Sequence, residues 1–161
     1  MKIREATRED ANAIGALAED FADYLRSLGD PTHFRFNAEV YLRDGFGDEP
    51  AFKGLVAESN GEIAGYLLYH SGYHVDTAER IMHIVDLYVR PDCRLQGIGK
   101  ALMKRAGKMC AEYGGKRLFW LVYIPNRDAF TFYERIGARY TEDLKYMYLP
   151  LERNPAKNVK K

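Results

Sequence analysis

The chain predicts an α+β domain, a mostly antiparallel sheet with one parallel crossover, in the order β-α-α-β-β-β-α-β-α-β-β. Three observations carry this. Apolar residues recur at helical spacing in two long stretches, Ile14, Leu17, Phe21, Tyr24, Leu28 and Ile98, Leu102, Ala106, Met109, Tyr113. Asn60-Gly61 stands between two apolar runs, the strongest short signal for a hairpin. The second long helix lies between two further strand candidates, so those strands run parallel.

The elements follow in order. Residues 2–6 read as a short strand. Thr7 caps a helix through residue 28, with Asp10 three positions on as an imperfect capping box. Asn37 caps a second helix that ends near Gly45-Phe46-Gly47. Strands at 51–58 and 63–71 flank the Asn-Gly turn, and 80–89 is a third long strand. The helix 98–113 ends at Gly114-Gly115. Its outer face carries Lys100, Lys104, Arg105 and Lys108, which reads as a solvated face except at Lys100, beside the loop that precedes it. Residues 117–124 read as a buried strand ended by Pro125. Asn126 caps a helix over 127–136 that stops at Gly137. Short strands at 138–141 and 144–149 close the order.

At 161 residues the chain fits one domain with a full core, assigned to 1–150, with a basic tail over 151–161 expected to be flexible. The formal net charge of +1 gives no electrostatic reason to expect nucleic acid or membrane as partner. The chain lacks the ~18 consecutive apolar residues a spanning helix needs. A polar start (Arg4, Glu5, Arg8, Glu9, Asp10) predicts no secretory signal. Cys93 and Cys110 lack redox or zinc spacing, which suits a reducing cytoplasm. His70, His74 and Asp76 invite a metal reading, but their spacing fits a strand and turn, and no metal is expected.

The most informative stretch is Asp86 to Leu102. An apolar strand enters a Pro-broken turn, which delivers Arg94-Leu95-Gln96-Gly97-Ile98-Gly99-Lys100 onto a helix start. Unpaired N–H groups and the positive dipole end make such a start a phosphate site, and glycine lets an anion approach the backbone. A P-loop is excluded by Arg94 and Ala101, where Gly and Ser or Thr would stand, and a Rossmann fingerprint by Leu102.

Arg-x-x-Gly-x-Gly after a strand resembles the acyl-CoA loop of the GCN5-related N-acetyltransferases. Asn126 followed by Phe132-Tyr133 and Gly137-Ala138 resembles that family's other signature. The run Asp44-Gly45-Phe46-Gly47-Asp48-Glu49-Pro50 with Leu55 to Glu58, then Asp86 to Val89, is similar to its diamine and thialysine acetyltransferase branch. The resemblance implies acetyl-CoA as cosubstrate, held by Leu87, Tyr88 and Val89 on the strand, by the loop from Arg94 to Lys100, and by Asn126, Ala129, Tyr133 and Arg135. It gives the Leu87 backbone the task of polarising the thioester carbonyl and Val89 that of bonding the pantetheine arm. Homodimerisation is also implied.

Tyr133 is the candidate acid, because a phenol with pKa ~10 can protonate a departing thiolate. The branch pairs a Glu with an Asp on this strand; Asp86 matches the Asp, while Val85 stands where the Glu would be. An alkyl amine of pKa ~10.4 is almost wholly protonated at neutral pH, so the site must take a proton away. Asp86, His83 and His70 are the candidate acceptors, with Asp86 expected to contact the substrate ammonium and His83 to line its site. Tyr24, Asp23 and Asp30 lie where the family places the acceptor wall. The expected reaction is direct attack of a small primary amine, a diamine or an amino-acid-like amine, on acetyl-CoA. A protein N-terminus or lysine as acceptor, and a non-catalytic acyl-CoA sensor, are the alternatives.

Overall fold

The computed structural model describes residues 1–151. Five strands form one sheet in the spatial order of the sequence: β1 (Lys2–Glu5), β2 (Lys53–Ser59), β3 (Glu62–His74), β4 (Glu79–Val89) and β5 (Gly115–Phe119). The first four are antiparallel neighbours and β4–β5 is parallel. Helices α1 (Ala11–Ser27), α2 (Ala38–Gly45), α3 (Ile98–Glu112) and α4 (Arg127–Arg135) flank it.

Local chemistry sets the boundaries. Thr7 N–H donates to Asp10 Oδ2 at 2.8 Å, so the expected capping box forms, and a 3₁₀ turn precedes α1. Asn37 Oδ1 accepts from Val40 N–H at 2.9 Å and starts α2. At the hairpin tip Asn60 and Gly61 take φ of 54° and 81°, the left-handed pair a two-residue turn demands.

Two cores lie on opposite faces of the sheet. One joins Leu67, Met82 and Ile84 to Ile98, Leu102 and Ala106 of α3; the other joins Val56, Tyr66 and Tyr88 to Ile14, Ala18 and Tyr41 of α1 and α2. A bulge in β4 decides which residues face which side. Leu68 pairs with Asp86 and Tyr69 with Ile84, so Val85 is the extra residue and is 47 % exposed. Met82 and Ile84 face α3, whereas beyond the bulge Leu87 and Val89 face α3 and Asp86 and Tyr88 turn toward α1.

Two expectations are corrected. Residues 117–124 are not one buried strand: β5 ends at Phe119, and Leu121 and Ile124 are 56 % and 70 % exposed. The β4–β5 ladder stops at His83↔Phe119 because the two strands part there, and an unpaired backbone segment cannot stay in the sheet. The strands expected at 138–141 and 144–149 are absent among the described residues; their large apolar side chains stand open, Leu144 at 73 % and Met147 at 88 %. Without a neighbour to supply hydrogen bonds, strand propensity does not make a strand. Of the expected 151–161 tail only Leu151 is described; 152–161 lie outside the described residues.

Candidate active site

Where β4 and β5 diverge a cavity of about 1040 Å³ opens. Ile84, Val85, Asp86, Leu87, Tyr88 and Val89 form one wall, Trp120 to Tyr123 the other. The turn before α3, the start of α4 and the end of α1 complete it. Of the expected site residues, Tyr24, Asp86, Leu87, Tyr88, Val89, Arg94, Leu95, Gly97, Ile98, Gly99, Lys100, Asn126, Ala129, Tyr133 and Arg135 all line this one space.

Five expected residues, Gln96, His83, His70, Asp23 and Asp30, do not. The Gln96 side chain folds back to donate to the Asp92 carbonyl at 3.2 Å, bracing the turn. His83 stands just beyond the cavity's inner end. Asp23 and Asp30 are accounted for locally: Asp23 pairs with Arg26 one helical turn on, and Asp30 Oδ1 accepts from Thr32 N–H at 2.9 Å. Neither lines the cavity. His74 Nδ1 meets Thr77 Oγ1 at 3.1 Å, and no group of three or more candidate metal ligands exists among the described residues.

At the mouth, α3 begins with Gly97 at φ 82°, where a Cβ would meet nothing within 4 Å. Ala101 N–H makes an early intrahelical bond, to the Gly97 carbonyl at 2.9 Å, so the preceding amides of Ile98, Gly99 and Lys100 face outward at the dipole's positive end. Open space above Gly97 fits an anionic group. Gly99 has another reason to be glycine: a Cβ there would lie 3.1 Å from Phe132 Cζ, so it seats α4 against α3.

Arg94 holds the mouth together. Its guanidinium lies between the Tyr24 and Tyr88 rings, 5.4 Å from each centroid, and its Nε donates to the Val89 carbonyl at 3.0 Å. The Tyr24 hydroxyl donates to Asn126 Oδ1 at 3.1 Å, and the same oxygen accepts from Ala129 N–H at 3.2 Å. Asn126 is thus both the N-cap of α4 and the tie between α4 and α1.

Two acids occupy the depth. Asp86 Oδ1 accepts from Leu87 N–H at 2.9 Å and Oδ2 accepts from the Tyr66 hydroxyl. Enclosure pushes its carboxyl up to about 6, against the pull of those two donors. Tyr133, under Trp120 with ring centroids 4.8 Å apart, has its phenol pushed well up, first by burial and then by the Asp86 charge. It is protonated throughout the neutral range, as an acid must be. Leu87 N–H, expected to polarise a carbonyl, is engaged by Asp86 in this state.

Tyr66 and Trp120 escaped the sequence reading. Tyr66 sits in an unbroken apolar run and gives no signal. Trp120 is the chain's single tryptophan, one residue past the end of β5, and its rarity is a usable cue.

A family model described as "Acetyltransferase (GNAT) family" matches residues 15–138. The chain is 33% identical over 145 residues to the thialysine N-epsilon-acetyltransferase of Sus scrofa, covering 85% of this chain and 83% of that one. It is 31% identical over 138 residues to the aminoalkylphosphonate N-acetyltransferase of Salmonella typhimurium, covering 86% and 84%. Its fold is similar to the crystal structure of a ribosomal-protein-alanine N-acetyltransferase from Brucella melitensis, with TM-score 0.72, 21% identity, and 94% and 100% of the two chains covered.

Proposed function

This chain belongs to the GNAT acetyltransferase family and is an acyltransferase, and on that premise we propose that it moves the acetyl group of acetyl-CoA onto the primary amine of a small molecule by direct attack. The observation that carries the reading is the single cavity in which a helix-start anion cradle and a buried phenol–carboxylate pair meet. The acceptor is a diamine or an amino-acid-like amine. Relatives whose names state thialysine and aminoalkylphosphonate as acceptors support this.

The cradle of Gly97, Ile98, Gly99 and Lys100 fits the diphosphate, and the amides and carbonyls of Leu87 to Val89 run beside the space the pantetheine arm needs. Bound acetyl-CoA supplies the activated acetyl carbonyl. Asp86 attracts the acceptor ammonium, a favourable pairing in an enclosed site. Tyr133 donates its proton to the sulfur as the C–S bond breaks. No cysteine lines the depth of the cavity near Asp86 and Tyr133, and that arrangement favours one transfer over a covalent acetyl-enzyme; Cys93 lies at the mouth turn. The reading includes a homodimer, supported by the apolar side chains of 140–151 left open, and a reducing compartment, supported by two free thiols.

The test is mass spectrometry of products from acetyl-CoA with diamines, amino acids, aminoalkylphosphonates and peptides, run beside Tyr133→Phe. A monoacetylated small amine is expected. Tyr133→Phe should lower kcat by roughly 10²-fold or more with acetyl-CoA affinity retained. Turnover of peptides alone would move the acceptor to protein, and a fully active Tyr133→Phe would remove the phenol from the reaction.

A further inference from the structure

His83 is the last β4 residue paired with β5, opposite Phe119. Immediately beyond it the cavity begins, with Ile84 and Val85 on one wall and Trp120 and Leu121 on the other. The imidazole therefore stands at the apex of the cleft, on the face opposite Met82 and Ile84, which is the face Asp86 adopts after the bulge. Phe119 covers its ring at 5.4 Å between centroids.

Its hydrogen bonds fix its tautomer. His70 Nδ1 lies 3.0 Å from the Ser71 carbonyl oxygen, which only accepts, so that nitrogen carries hydrogen. In a neutral ring His70 Nε2 is then an acceptor, and His83 Nδ1, 2.9 Å away, must donate to it. His83 Nε2 is left with a bare lone pair and no hydrogen-bond partner among the described residues. A carbonyl orienting one imidazole, which orients a second, is the arrangement that aims a base.

Burial, then the nearness of a second imidazole at His70, lowers His83 from the ordinary histidine value, so it is neutral and able to accept at pH 7. The titratable neighbour that acts on it is His70 from β3; Phe119 from β5 carries no charge, and Asp86 lies farther along its own strand, beyond the bulge. Asp86, by contrast, has both oxygens engaged by donors.

We propose that His83 Nε2 takes the proton from the acceptor's ammonium, with His70 as the positioning residue that fixes its tautomer. The inference rests on the acyl-transfer reading above. The ammonium gives one proton to His83, and the freed lone pair forms the N–C bond to the thioester carbonyl carbon. The C–S bond breaks with its electron pair on sulfur. Sulfur receives the Tyr133 proton, and the phenolate recovers the second proton from nitrogen. His83 returns its proton to water, so amine and thioester become amide, thiol and one released proton.

The test compares wild type, His83→Gln, His83→Ala and His70→Gln on an amine that wild type acetylates. His83→Gln should lose roughly 10²-fold or more in kcat, with acetyl-CoA affinity within about threefold. Added imidazole should restore part of the His83→Ala rate. His70→Gln should lose about tenfold and shift the rising limb of the kcat–pH profile, which a merely structural role would not move. Nitrogen NMR of the unmodified protein should find both rings protonated at Nδ1. A His83→Gln enzyme with wild-type kcat and pH profile, or a His83 ring protonated at Nε2 instead, overturns the role even if a variant fails to fold. A wild type that binds acetyl-CoA and acetylates no amine overturns the acyl-transfer reading, and the role with it.

Discussion

Asp86 is a charge held where water would be cheaper, and its titration reports that. Its carboxyl titrates near 6 in the folded chain against 3.8 for the ordinary value, so the unfolded chain gives up this proton first as pH rises. The contribution of Asp86 to stability is therefore fully present below about pH 4 and is lost as pH climbs to about 6, by about 3 kcal/mol at ~1.36 kcal/mol per pH unit. Asp86→Asn should abolish this slope between those pH values, measured by urea denaturation. An unchanged slope would place the cost elsewhere. The residues proposed for the chemistry were legible in the sequence, since Asp86, Tyr133 and Asn126 carry the pattern that resembles the family's. Their supports were not. Tyr66 under Asp86 and Trp120 over Tyr133 are ordinary core aromatics until the fold brings them there.

At the scale of elements, α4 is short, and little of it is deeply buried; its placement depends on its first residue. Asn126 Oδ1 caps the helix and takes the Tyr24 hydroxyl from α1. Asn126→Ala should cost about 1–2 kcal/mol as a lost cap. It should also weaken acetyl-CoA binding, since Arg94 stacks on the same Tyr24 ring. A calorimetric affinity equal to wild type would separate the cap from the mouth. Helix starts were readable because caps are local chemistry: Thr7, Asn37 and Asn126 all stand where they were expected. The β4 bulge was not readable. An alternation of apolar residues does not announce where one is skipped, yet the skip at Val85 is what turns Asp86 toward α1 and leaves Leu87 on the other face.

For the molecule as a whole, β2, β3 and β4 are tied by long antiparallel ladders, while β1 and β5 at the two edges are each attached by a ladder of four pairs, and β5, the parallel one, leads into α4 and an open apolar stretch. The α+β class followed from the Asn60-Gly61 turn and the crossover helix, both local signals. The fate of 138–151 was not legible, because strand-like composition does not say which backbone will pair with it. The parting of β4 and β5 has a consequence for how the chain breathes. The unit from Gly115 onward is secured to the rest by few backbone bonds, so it should open first, and its amides should trade hydrogen for deuterium well before those of β2 and β3. A ligand wedged between the separated strands would bridge the two units and slow that exchange, acting as a removable keystone for a fold that is otherwise fastened mainly on one side.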